Sequence, residues 1–182
     1  MKIPKRARLL GAVVVAALAV GVAAAAVAGA DSGTDPGPTV RHAETLAVTD
    51  LADDRKLVGV AHDVFLGRVE QQQGSTTGEP LPETQFEVQV LRTIKGSLSG
   101  VVVVSQQGGL DDRGDTVVVD GDALLASGRT YLFATRTNEA TGWHTLIPRY
   151  GIVPADARDA QADLVARFQV ARATEVQYSA EG

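Results

Sequence analysis

The sequence predicts a mainly β protein: a small, partly open barrel of five or six short strands, with a short helix before the first strand and a helix at the C-terminal end. In the stretch 84–100, Phe86, Val88 and Val90 alternate with polar residues, and a period of two is typical of a half-buried strand. Further short apolar runs are separated by glycine-marked turns. The stretch 156–173 has apolar residues at helical spacing.

The first thirty residues have the form of a secretory signal, and they predict an N-terminal hydrophobic helix. Four basic residues precede an apolar run at 9–28, and small residues at Ala28 and Ala30 predict cleavage before Asp31. The alternative is an uncleaved transmembrane anchor, since about 20 apolar residues can span a bilayer. The alanine-rich composition favours cleavage. In both cases the basic flank stays cytoplasmic, so the remainder is expected to be secreted or held at the cell surface.

The chain divides into three segments by composition. Residues 1–30 are the signal or anchor, residues 31–43 are predicted to be a flexible linker, and residues 44–182 are predicted to form the barrel domain with its C-terminal helix. Four of the 17 basic residues and none of the 22 acidic ones lie in the first segment, so the rest carries 13 basic residues and a formal charge of −9. This acidic balance excludes nucleic acid as an expected partner. The absence of cysteine excludes disulfides, thiolate metal sites and a cysteine nucleophile.

The elements are expected in a simple order. Thr49 or Asp50 is expected to cap the short helix, and Gly67 to bend the first strand. Residues 71–82 are expected to be a polar loop, and Asp156 to cap the C-terminal helix, which packs one apolar stripe on the barrel. The predicted strands are 62–70, 86–90, 101–107, 116–119, 129–136 and 143–147.

Three of these segments form a recurrent pattern: AHDVFLGRV at 61–69, FEVQVLRTIKG at 86–96 and GRTYLF at 128–133. This pattern resembles the TIMP-like, or netrin-module-like, OB-fold domains of many uncharacterised bacterial exported proteins. The resemblance covers roughly residues 46–152 and implies an OB-like barrel. The eukaryotic metalloprotease inhibitors of that superfamily ligate the protease zinc through a disulfide-locked N-terminal cysteine. Because this chain has no cysteine, none of their functional residues carries over.

The histidines are the first candidates for chemistry. His62 and Asp63 are adjacent, and neighbours on a strand point to opposite faces, so they are not expected to bond each other. A structural role is predicted instead, in which one of them satisfies backbone groups where helix meets strand. His42 is expected to be solvated in the linker, and His144 to be a surface residue of a hairpin arm. No helical His-x-x-x-His spacing occurs, so no metal or cofactor is predicted.

An acidic cluster is the second candidate. Five aspartates lie between residues 111 and 122, and oxygen-rich loops can bind calcium. Asp111, Asp112 and Asp115 would be the cation loop. The spacing departs from the EF-hand template because Arg113 stands at a ligand position. A solvated acidic loop is the favoured interpretation.

The predicted second strand is the third candidate. OB folds use their second and third strands as a ligand face, and here the polar side of the second shows Gln85, Glu87 and Gln89. These three residues are the candidates for a ligand face. They include neither stacking aromatics nor a basic track, which disfavours single-stranded nucleic acid.

The expected function is therefore an exported, non-enzymatic binding module. The expected partner is an extracellular or envelope protein, with membrane contact through residues 9–28 if the signal is uncleaved. No catalytic residue is predicted. One alternative is an exported hydrolase that uses His62, Asp63 or the aspartate cluster. The other alternative is a calcium-stabilised envelope protein.

Overall fold

A computed structural model describes residues 37–44, 50–77 and 80–177, all within one compact unit that spans Pro36–Gly182. These residues are mainly β with two helices, one short and one C-terminal, as the sequence predicts. The predicted signal or anchor lies outside the described residues. The described elements are β1 (Val40–Ala43), α1 (Asp54–Val60), β2 (Asp63–Thr76), β3 (Glu83–Lys95), β4 (Val101–Gln107), β5 (Gly109–Leu110), β6 (Thr116–Val119), β7 (Thr130–Asn138), β8 (Trp143–Leu146), β9 (Ile152–Pro154) and α2 (Arg158–Ala173).

Five strands form a closed ring. The larger sheet runs in the order β2-β3-β4-β8-β7, and β7 also pairs with β2. Every pair in the ring is antiparallel except β4 with β8, which is parallel. The short strand β9 adds to the sheet by pairing with β7. The ring therefore leaves no free strand edge along residues 64–68 of β2.

Strand β2 closes the ring because it pairs with two strands at once. Its first six residues pair with β7, while β3 follows it along nearly its whole length with four register shifts. One shift falls between Leu66 and Gly67, the glycine at which a bend is predicted. A Cβ atom at Gly67 would stand 2.6 Å from Val88 Cγ1 and 3.1 Å from the rings of Phe65 and Phe133. The ring interior therefore has no room for a side chain at this position.

The polar segment 71–76 differs from its prediction as a loop. It continues β2 and pairs with β3, with Gln71 opposite Glu87 and one register shift between Gln72 and Gly74. The Gln71 amide donates to the Glu87 carboxylate at 2.9 Å. Its side chains are almost all exposed, so no alternation of apolar residues marks the strand. The strand forms because β3 supplies the backbone hydrogen bonds.

Two apolar clusters lie on opposite faces of the ring strands. The inner cluster draws on all five strands, and within it the rings of Phe65 and Phe133 stack at 5.1 Å. The outer cluster joins alternate residues of β2 and β7, such as Val64 and Leu132, to both helices. Its largest helical contribution is Phe168 of α2, which is fully buried. The helices thus cover one side of the ring.

Helix α1 begins later than predicted. Its N-cap is Asp53, whose carboxylate accepts a hydrogen bond from the Arg55 amide at 2.9 Å. Hydrogen bonds from the Arg55 side chain, and then from its amide, lower the pKa of Asp53 to about 2. The predicted cap Asp50 instead accepts from the Ala52 amide and from the Tyr150 hydroxyl. The other predicted cap, Thr49, lies outside the described residues.

Helix α2 begins at Arg158, and the prediction that Asp156 caps it is wrong. The N-cap is Ala157, which makes no side-chain cap hydrogen bond. Asp156 turns back to the ring, where it accepts from the Arg129 guanidinium and the Thr130 amide. The Asp156 carboxylate therefore bonds Arg129 and Thr130 instead of capping the helix. Along the described part of the chain, no helix is both long and apolar enough to cross a membrane.

A second, small sheet has the order β1-β6-β5. Its strand β1 occupies the last four residues of the predicted flexible linker 31–43 and pairs in parallel with β6. Asp115 accepts from the Thr39 amide, and Asp111 forms an ion pair with Arg41, both at 2.9 Å. These contacts come from residues about seventy positions away in the sequence, so local composition does not indicate them.

We expect Gly67→Ala to lower the free energy of unfolding by about 1–3 kcal/mol, because the added methyl group overpacks the ring interior. Urea denaturation of the protein measures this loss. Gly74→Ala on the same strand is the matched control, since the nearest atom to its Cβ would be Gln85 Oε1 at 3.6 Å. Its effect should stay within about 0.5 kcal/mol. Equal midpoints for the two variants would contradict the ring closure described here.

Candidate functional site: a buried polar cluster and the clefts outside the ring

Four polar side chains meet at one end of the ring interior. Asp63 opens β2, His144 lies on β8, and Thr135 and Thr137 lie on β7. Thr135 pairs with Asp63 and Thr137 pairs with His144. Because side chains alternate along a strand, all four share the face of the inner apolar cluster. The cluster therefore caps that core from one end.

The centre of this cluster is a hydrogen-bonded pair. His144 Nδ1 lies 3.1 Å from Asp63 Oδ2, and the Thr137 hydroxyl donates to the same oxygen at 3.1 Å. Asp63 and His144 are each more than nine-tenths buried. The prediction that His144 is a surface residue is wrong, because β8 has neighbours on both sides, β4 and β7. Its inward face is therefore enclosed.

His62 and Gly96 complete the surroundings of the pair. The Thr137 amide donates to His62 Nδ1 at 3.1 Å, so His62 satisfies a backbone group, as predicted for this position. Gly96 has φ +86°, and a Cβ there would overlap Asp63 Oδ1. The absence of a side chain at Gly96 thus allows the backbone to approach the buried carboxylate. The hydroxyl oxygen of Thr135 is buried and has no hydrogen-bond partner among the residues that the structure describes.

This geometry limits the chemistry of the pair. A histidine held by a carboxylate is the base and its orienting group in a Ser-His-Asp triad. Such a base also needs a nucleophile and a space for substrate. Neither His144 nor Asp63 lines any of the clefts described below. The arrangement fits a buried polar network that fixes one strand end against another.

A polar cleft lies outside the ring, between the β2–β3 connection and the small sheet. We call it the loop cleft; its volume is about 220 Å³. It was not predicted, because one of its walls is β1, which composition assigned to the linker. Its walls are Arg41 and His42 of β1, Thr77, Pro80, Leu81 and Pro82 of the connection, and Asp111, Asp112 and Arg113 of the acidic loop.

The candidate cation loop forms part of this wall. Asp111 Oδ1 accepts from the amides of Arg113 and Asp115, both at 2.9 Å, while its Oδ2 faces Arg41. Burial alone would raise the pKa of Asp111, but these hydrogen bonds together hold it below its usual value. Asp112 is exposed. Within the ranges the structure describes, no three His, Asp or Glu residues are placed to hold a metal ion.

The predicted ligand face on β3 is largely engaged within the sheet. Gln85 is buried, with its amide 3.5 Å from the Ser105 hydroxyl. Glu87 accepts from Gln71, and the Gln89 amide donates to two backbone carbonyls. The structure brings the three candidates into one row, as the strand pattern predicts. Whether that row binds a ligand stays a prediction.

A strained corner lies between β6 and β9. Asp120 and Arg149 have φ values of 52° and 68°, which residues other than glycine rarely adopt. Asp122 Oδ2 accepts from the Arg149 amide at 2.8 Å, and burial raises the pKa of Asp122. Gln107 Oε1 is buried beside a cavity of about 10 Å³, and no described residue forms a hydrogen bond with it. That space suits a single water molecule.

No family model matches this chain, and no curated protein matches it. The resemblance to TIMP-like domains therefore stays a prediction, and the roles of these residues are argued from geometry alone.

We expect Asp63 and His144 to be energetically coupled. Asp63→Ala and His144→Ala each leave a buried polar partner unsatisfied, so the double variant should lose about 1–3 kcal/mol less than the sum of the single losses. A double-mutant cycle by urea denaturation measures this coupling. Asp63→Ala with His42→Ala is the control pair. Because His42 is exposed, the losses in free energy of unfolding for these two substitutions should add within about 0.5 kcal/mol. Simple additivity of Asp63 and His144 would contradict the paired geometry.

Proposed function

We propose that this chain is an exported, non-enzymatic binding module on an OB-like barrel, and that its ligand is a polar segment of another extracellular or envelope protein. The order of strands around the ring supports the barrel. With β2, β3, β4, β7 and β8 counted as first to fifth, the fifth strand lies between the third and the fourth, and the fourth returns to the first. A five-stranded Greek-key barrel of this kind is an OB fold.

The resemblance noted in the sequence agrees with this proposal. Its three segments, 61–69, 86–96 and 128–133, fall mainly on β2, β3 and β7. Domains of the TIMP-like kind are exported, as the signal-like segment 1–30 also suggests for this chain. Their cysteine-dependent inhibition of metalloproteases does not extend to it, because the chain has no cysteine.

The single observation that carries the binding proposal is the loop cleft. OB folds recruit ligands with the loop between their first and second strands, and the β2–β3 connection forms one wall of the loop cleft. The cleft offers both signs of charge, from Arg113 and Asp112, beside the apolar side chain of Leu81. A peptide segment carries complementary groups of all three kinds. A phosphate backbone would be repelled by the two aspartates of the cleft and by the acidic region as a whole.

The cleft is also held in a fixed shape. The Gly108 amide donates to the Pro82 carbonyl at 2.7 Å, and the Thr84 hydroxyl donates to the Gly108 carbonyl at 2.8 Å. The Arg41–Asp111 ion pair joins the other two walls. A preformed surface loses less conformational entropy on binding, which favours a binding role.

The hydrolase alternative has one observation in its favour, the Asp63–His144 pair. The pair is enclosed at the end of the ring, away from the described clefts. The calcium alternative is weakened because Asp111 already accepts two amides and an arginine. Binding without catalysis is therefore the better-supported function.

Site-specific photo-cross-linking in the exporting cell tests the binding proposal. A photoreactive residue at Thr77, in the loop cleft, should give a discrete protein adduct, whereas one at exposed Val170 should not. Arg113→Glu should reduce the Thr77 adduct about fivefold or more, because a charge reversal at an interface commonly costs at least about 1 kcal/mol.

Two outcomes would overturn the proposal. The first is equal adducts at Thr77 and Val170, or no adduct at either. The second is hydrolysis of an ester, phosphoester, glycoside or peptide substrate that His144→Ala abolishes while the variant remains folded by circular dichroism.

A further inference from the structure

The geometry points to a second binding surface, a groove between α2 and β3 that accepts an acidic amphipathic helix from a partner protein. This helix groove has a volume of about 540 Å³. It lies on a different part of the ring from the loop cleft and shares no lining residue with it. Neither the sequence pattern nor the proposed function assigns a role to it.

The floor of the helix groove is apolar. Leu66 of β2 and Val165 of α2 form it, and both are buried. Leu91 of β3 also lines the groove, and 49% of its surface is exposed. A large exposed apolar side chain over an apolar floor is a site that a partner could cover.

The α2 wall of the helix groove permits a close approach. Ala162 and Ala166 line it one turn apart, and both are exposed. Small side chains on a helix surface reduce the distance at which another helix can pack. Helix α2 has 16 residues and so runs for about 24 Å. This length suits a partner helix that lies alongside it.

The charge of the rim selects the occupant. Arg92 of β3 and Arg158 of α2 both line the groove and are exposed. Neither guanidinium has an ion-pair or hydrogen-bond partner along the described stretches of chain, whereas Arg129 and Arg167 are paired with aspartates. Two free positive charges beside an apolar floor, on a region with a formal charge of −9, favour acidic side chains along the edges of a bound helix.

Nearby acidic groups do not cancel this selection. Asp159 and Asp163 are the acidic residues on the same part of α2. Neither aspartate lines the groove. At about 100° per residue, Asp159 projects about a quarter turn from the line of Arg158, Ala162 and Val165, although close to Ala166, and Asp163 projects farther away. The groove therefore keeps its basic rim.

Other occupants fit less well. A second copy of the chain would have to present an acidic helix, whereas α2 carries arginines at 158, 167 and 172. The described end of the chain packs elsewhere, since the Val176 amide donates to the Arg55 carbonyl of α1. An anionic membrane surface would be repelled by the acidic region as a whole.

Two synthetic amphipathic peptides test this inference, each as long as α2 and with the same leucine–alanine stripe. One is flanked by glutamates and the other by lysines. Fluorescence anisotropy is measured with the protein produced from its full-length gene. The glutamate peptide should bind at least about tenfold more tightly than the lysine peptide. The net charge alone predicts the opposite order, so the preference reports the groove.

Charge reversal supplies the matched variants. Arg92→Glu/Arg158→Glu should reverse the preference between the two peptides. Lys56→Glu/Arg68→Glu changes the net charge equally at exposed positions outside both the groove and the loop cleft and should preserve the preference. All four positions are exposed, so we expect each substitution to alter stability by no more than about 0.5 kcal/mol, which thermal melts check.

Three results would overturn the inference. One is tighter binding of the lysine peptide to the unmodified protein. Another is a dimer in sedimentation equilibrium that Arg92→Glu/Arg158→Glu dissociates, since a second copy would then fill the groove. The third is retention on anionic phosphatidylglycerol vesicles that the same double variant abolishes.

Discussion

The structure depends on one constraint, the pairing of β2 with both β3 and β7. Because β3 and β7 are also joined through β4 and β8, this pairing closes a ring. A register shift of β2 falls at Gly67, where the interior leaves no space for a side chain. Closure creates the inner apolar cluster, to which every ring strand contributes. It also creates the outer face on which both helices pack. The clefts then lie between the ring and the elements around it.

Closure also decides what the polar residues can do. Asp63 stands at the first position of β2, so closing the ring brings it to His144 inside and removes both from solvent. A pair that would suggest catalysis at a surface instead joins strand ends within the core. The loop cleft and the helix groove, by contrast, carry charged groups that solvent can reach. For this reason we propose that the protein functions by recognising a partner at its surface.

Local pattern was sufficient for the elements whose burial follows a single period. The alternation at Phe86 and Val88 predicted β3, and the helical spacing of Leu164 and Phe168 predicted α2. It failed wherever a distant segment supplies the stabilising contact. Strand β1 depends on the acidic loop, the end of β2 depends on β3, and His144 is enclosed by strands on both sides. Such contacts leave no periodic signal in the chain.

Amide hydrogen exchange along β2 tests ring closure most directly. The first part of this strand, which includes Val64 and Leu66, lies between β3 and β7, whereas the part that includes Gln72 and Thr76 pairs with β3 alone. The account predicts that the hydrogen-bonded amides of the first part exchange at least about a hundredfold more slowly than those of the second, since they open only when the ring does. Equal exchange rates along the whole strand would contradict a closed ring.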